Sequence, residues 1–163
     1  MKTAKKHLNL FLLLLVMICA LPLNAQASSK ARTGVYQKSY KVSGPWASGA
    51  KRKPTTSLVV TKLTKKKVSF VVEHYGINGS PLYQTSTITA PLKKNKVTKF
   101  KWADSWGNKG TGSLFFSKNK VQVKMKVKKS SRFNRFYWDE SVTLKYKRKL
   151  SAKDKAYFSH LKF

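Results

Sequence analysis

Lys120-Val-Gln-Val-Lys-Met-Lys-Val-Lys128 is the stretch whose reading decides the fold. Val121, Val123, Met125 and Val127 alternate with Lys120, Gln122, Lys124, Lys126 and Lys128. A helix would scatter the four apolar residues around its circumference. A strand, with its period of two, puts them all on one wall and leaves the cations on the other. The stretch therefore predicts a strand with one buried and one wet face. Residues 140–147 repeat the pattern, with Val142, Leu144 and Tyr146 inward and Thr143, Lys145 and Lys147 outward.

Working outward from these two segments, looser period-two runs cover 33–42, 56–63, 68–75, 82–90, 96–103 and 112–117. Val68, Phe70 and Val72 alternate with Ser69, Val71 and Glu73, and Phe100 and Trp102 share one face. Turn-forming pairs separate the runs: Asn78-Gly79, Lys94-Asn95, Gly107-Asn108 and Lys118-Asn119. The string Lys-Asn-Lys-Val occurs at Lys94–Val97 and again at Lys118–Val121, which reads as one hairpin turn used twice. The sum is about eight strands at hairpin spacing, hence an all-β, antiparallel up-and-down β-barrel, with a two-sheet sandwich as the alternative. Closure into a barrel would remove exposed strand edges. At the C-terminus Ser151 and Asp154 fit a capping box, and Ala156, Tyr157, His160 and Leu161 fit one face of a short helix. Such a helix would either close the barrel mouth or fray.

The N-terminus has a different character. Lys2, Lys5 and Lys6 precede an apolar run from Leu8 to Leu23, and Ala25 and Ala27 supply a small-x-small cleavage pattern. Residues 1–27 therefore read as a secretory signal peptide. The run is short for a membrane span, which needs about 20 apolar residues. Lipidation at Cys19 is disfavoured by the bulky Ile18 before it. Residues 28–32 read as a flexible lead and 33–163 as a single barrel domain. The expected location is secreted, with retention in an anionic cell wall as a variant of it. Cys19 is the sole cysteine, so the exported portion can form no disulfide, and its stability must come from its core.

Charge is the strongest compositional signal. Lys and Arg total 35 against 5 Asp and Glu, a formal net charge of +30. Only Glu73, Asp104, Asp139, Glu140 and Asp154 oppose it. Solubility needs a net charge of only about 2–8, so the excess points to an anionic partner: teichoic acid, nucleic acid or an anionic membrane surface. Lys far outnumbers Arg, which suits diffuse attraction better than bidentate recognition.

Catalytic and metal chemistry find little support. His74 neighbours Glu73, and strand alternation sends the two to opposite faces. No Gly-x-Ser-x-Gly elbow, His-Glu-x-x-His or carboxylate cluster is present. Asp139 and Glu140 are adjacent and read as surface charges. Gly107-Asn-Lys-Gly-Thr-Gly112 lacks the Lys-Ser/Thr of a phosphate loop and reads as a β-turn linker. The expectation is a binding protein, not an enzyme, with no cofactor and no metal. The predicted polyanion site is Lys124, Lys126, Lys128, Lys145 and Lys147 on one wet face of the last two strands, with Arg132 and Arg135 beside it. Trp106 and Trp138 are candidate aromatic contacts, though such rings more often fill cores.

The stretch Asp104-Ser-Trp-Gly-Asn-Lys-Gly-Thr-Gly-Ser-Leu114, followed by the Lys120–Lys128 strand, resembles an element of small exported proteins of Bacillus and its relatives. In size and strand count the chain looks more loosely like lysozyme-inhibitor-like or lipocalin-like barrels. The resemblance implies a barrel. It implies no inhibitory residues, because the disulfide common in lysozyme inhibitors is missing and a basic protein is unsuited to a basic lysozyme. The functions in view are a secreted, monomeric binder of an anionic cell-envelope polymer or extracellular nucleic acid, a secreted antimicrobial or membrane-active protein, and, third, an enzyme inhibitor.

Overall fold

The computed structural model describes residues 31–45, 47–132, 141–159 and 161. The signal-peptide reading of 1–27, most of the lead, and Arg135, Trp138, Asp139, Glu140 and His160 lie outside them.

Among the described residues, nine strands and one α-helix follow each other: β1 (Gly34–Ser39), β2 (Thr55–Leu63), β3 (Lys67–Tyr75), β4 (Pro81–Gln84), β5 (Ile88–Pro91), β6 (Lys96–Ala103), β7 (Lys109–Ser117), β8 (Lys120–Lys129), β9 (Val142–Arg148) and α1 (Ala152–Ser159). β4 and β5 both pair with β3, Gln84 opposite Glu73 and Ile88 opposite Phe70. They are two halves of one strand, interrupted at 85–87. Counted this way, the antiparallel sheet runs from β4/β5 through β3, β2 and β1 to β9, β8, β7 and β6, so that strands lie beside their sequence neighbours and β9 returns to pair with β1. That is the up-and-down barrel order expected from the sequence.

Closure is partial. The seam between β4/β5 and β6 is joined at Thr85 opposite Asp104, where Ser86 N donates to Ala103 O (3.1 Å) and Ser105 N donates to Gln84 O (3.0 Å). Between that clasp and the Lys93–Lys96 bridge at the following turn, β5 and β6 face each other without a ladder. The expected removal of every edge is therefore not achieved. Pro91 at the end of β5 and the exposed Lys96, Lys99 and Lys101 on β6 blunt the two edges instead.

Alternation builds the core. Leu58, Val60, Phe70, Val72, Val97, Leu114, Phe116, Val121, Val123 and Leu144 form one buried cluster inside the curl of the sheet. The period-two reading of β8 and β9 is realised, with Val121, Val123 and Met125 buried between exposed neighbours. β7 corrects the sequence reading: Lys109–Gly112 is strand, not turn linker. Gly110 lies opposite Trp102 and Gly112 opposite Phe100. A methyl group at either glycine would overlap the facing aromatic ring and a carbonyl of β8. The glycines are inward positions roofed by large rings, a device that holds aromatic side chains flat against a sheet.

α1 is also corrected. It neither plugs the mouth nor presents Ala156 and Tyr157 inward; both are exposed. Among its described side chains the buried one is Phe158, which lies on the outer wall against Val35, Val59 and Val71, with Leu150 and Leu161 beside it. The capping box forms as expected: Asp154 N donates to Ser151 Oγ (3.1 Å) and Ser151 N to Asp154 Oδ2 (2.8 Å). Thr87 Oγ1 donates to Phe158 O (2.8 Å), tying the helix to the break in the β4/β5 strand.

Candidate functional site: a basic outer wall

The wall is made by β6, β7 and β8, whose ladders fix its rungs. Lys101 lies opposite Thr111, and Thr111 opposite Lys126. One rung on, Ser113 lies opposite Lys124. A register shift in β6 between Val97 and Phe100 turns both Thr98 and Lys99 outward, as a bulge does. The next rung is Lys96, Phe115 and Gln122. β7 thus presents small hydroxyl residues between two rows of lysines. A hollow of about 420 Å³ is lined by Lys96, Thr98, Ser113, Phe115, Gln122 and Lys124. A second, of about 540 Å³, is lined by Thr98, Lys99, Thr111, Ser113, Lys124 and Lys126. They share Thr98, Ser113 and Lys124, so they form one trough along β7.

The residues singled out in the sequence fall into two groups. Lys124, Lys126 and Lys128 are exposed on the outer face of β8, and Arg132 is exposed just beyond it. β9 does pair with β8, but only from Lys120 to Val123. Lys145 therefore sits beside Lys120, not beside Lys124, and Lys147 lies further toward the hairpin end. The row next to Lys124 and Lys126 comes from β6, on the far side of β7. Lys99 and Lys101 alternate with Phe100 and Trp102, so their outward direction was readable. Their distance from Lys124 and Lys126 was not, because it depends on the register of two ladders.

Among the described residues no carboxylate stands on this wall. Asp104 is buried in the β6–β7 turn, where its carboxylate accepts from Trp106 N (3.0 Å), Asn108 N (2.8 Å) and Asn108 Nδ2 (2.7 Å). Asn108 Oδ1 in turn accepts from Ser131 N (2.7 Å), tying the turn to the start of the β8–β9 connection. This is the part played by the Asp104–Asn108 element: a clasp that fixes the wall's end. Trp106 is 47% exposed on that clasp, at the end of the β6–β7 hairpin.

Asp154 is engaged by Arg148, which holds its carboxyl well below the usual carboxylate range. Glu73 is buried on the outer face of β3, near α1; Gln84 Nε2 (3.1 Å) and the Tyr75 hydroxyl (3.4 Å) donate to it. Burial raises its carboxyl above the ordinary value in spite of those bonds. Burial, aided by the Glu73 charge, likewise pushes the Tyr75 hydroxyl up to about 12. His74 points the other way, hydrogen-bonded through Nδ1 to Thr56 Oγ1 (2.7 Å) and stacked on Tyr83, and burial lowers its pKa. Among the described residues no group of His, Cys, Asp and Glu could hold a metal ion. Comparison with family models, curated proteins and solved structures gives no match.

Proposed function

We propose that the chain is an exported binding protein that holds an anionic polymer against the outer wall of β6, β7 and β8. The observation that carries this reading is the pair of lysine rows flanking β7 with no described carboxylate between or beside them. Like charges at this density repel one another, and the repulsion is relieved when a polyanion lies across them. The binding is electrostatic and proceeds by release of counterions, so affinity falls steeply with salt. Catalysis plays no part in this reading.

The test compares two triple variants. Lys101, Lys124 and Lys126 are replaced by Gln in one; the exposed Lys51, Lys53 and Lys155, away from the wall, are replaced in the other. Both lose the same charge. Binding to a flexible polyanion is titrated from about 50 to 200 mM salt. The wall variant should lose about two units of the log–log salt slope, at roughly 0.7 per phosphate contact. The control should lose far less. Equal losses would leave only a diffuse charge cloud and remove the site.

A further inference from the structure

Resting on that reading, we infer that the trough along β7 takes a single extended poly(polyol phosphate) chain, with phosphates on the lysine rows and polyol hydroxyls on Thr98, Thr111 and Ser113. Three features of the trough carry this assignment: the width and the floor select against other polyanions, and the repeat fits an extended phosphodiester chain.

The first is width. Adjacent strands are about 4.8 Å apart, so the rows on β6 and β8 stand about 10 Å apart across β7. Long lysine side chains from both rows can converge on one backbone lying over β7. A duplex is wider than this and would ride on the rims, out of reach of the floor.

The second is repeat. Outward residues on one strand recur about every 7 Å. This is the scale on which phosphates recur along a stretched phosphodiester chain. Lys124 and Lys126 can therefore meet successive phosphates, with Lys99 and Lys101 answering from the other side.

The third is the floor. Proteins that bind single-stranded nucleic acid stack bases on aromatic rings in the groove. Among the described residues the floor is Thr98, Thr111 and Ser113, and the exposed ring lining the trough, Phe115, stands at its hairpin end. Hydroxyls on a trough floor suit a partner with hydroxyls and no bases. The scarcity of arginine agrees, since planar guanidinium groups stack on bases and lysine ammonium groups do not.

The test uses the full exported chain and three probes of matched charge: poly(glycerol phosphate), an oligothymidylate and a short DNA duplex. Ser113→Phe fills the trough without altering charge, at an outward position where a strand tolerates an aromatic residue. Poly(glycerol phosphate) should lose about tenfold or more in affinity, a change of about 1.4 kcal/mol, while the duplex should hardly change. Thr111→Val, a gentler change, should weaken poly(glycerol phosphate) in the same order of probes. Amide shifts of the unmodified protein provide a readout free of any folding effect: poly(glycerol phosphate) should move Thr98, Thr111 and Ser113. Tighter binding of oligothymidylate, with shifts at the same residues, would overturn the polyol assignment in favour of single-stranded nucleic acid. Equal affinity for all probes with no shift on β7 would overturn the trough while leaving polyanion binding intact. No binding of any probe at low salt would overturn the underlying reading as well.

Discussion

At the scale of single residues, the glycines of β7 show how a turn-like composition can belong to a strand. Gly110 and Gly112 lie beneath Trp102 and Phe100, and their missing side chains are the space the rings occupy. Gly110→Ala should therefore destabilise the fold by about 1–3 kcal/mol through overpacking, read as a lower denaturant midpoint. An unchanged midpoint would mean that the ring does not lie on the glycine. Sequence spacing could not reveal this, because a Gly-rich run next to Asn108 has the composition of a loop. Only the partner strand shows which ring covers which glycine. Glu73 gives a second test at this scale. Its carboxyl is raised by burial, so the folded state holds the proton more tightly than the unfolded chain does. Stability is then highest below the unfolded value of about 4.3 and falls as pH rises through the folded value. Glu73→Gln removes that titration. Its melting temperature relative to the unaltered protein should rise from about pH 4 to pH 7. Asp154, lowered by Arg148, has the opposite sign: its stabilisation is lost as pH falls. Since both proteins contain Asp154, the difference between them isolates Glu73. A difference that stays constant over this range would contradict the raised carboxyl.

At the scale of elements, β8 and β9 were legible because buried residues alternate with exposed ones along both. Val123 is fully buried and its neighbour Lys124 exposed. Val123→Asp should cost several kcal/mol, on the order of the whole stability of a small domain, whereas Lys124→Asp should be nearly neutral. Similar melting temperatures for the two variants would overturn the register. β3 was less clean, since Val71 and Glu73 on its outer face are buried along with Phe70 and Val72 on its inner one. The cause is α1, whose Phe158 packs against Val71 on that outer face. The helix itself was readable from Ser151 and Asp154, but its buried face was not. One large side chain, rather than a full apolar stripe, holds it down. The break between β4 and β5 was hidden for a similar reason: Thr85 pairs across the seam with Asp104, a contact that no local pattern encodes.

At the scale of the whole molecule, the repeated Lys-Asn-Lys-Val string acquires a position. Both copies make hairpin turns at the same end of the barrel, with Asn95 and Asn119 in the left-handed region. Asn95 O accepts from Phe116 N (2.8 Å) and Asn119 O from Tyr146 N (2.7 Å), so each turn is fastened to the next strand. Lys96 rises from the first turn onto the β6 rim of the β7 trough, and Lys120, opposite Ser117, starts the β8 row that continues to Lys124 and Lys126. The total charge was plain in the composition, and its division into rows was not. Mass-spectrometric footprinting of lysine acetylation, with and without bound polyanion, reads that division residue by residue. Lys99, Lys101, Lys124 and Lys126 should be protected, while Lys51, Lys53 and Lys155 should react as in the free protein. Uniform protection across all of these lysines, or protection confined to those away from β7, would contradict a binding site on the β6–β8 wall.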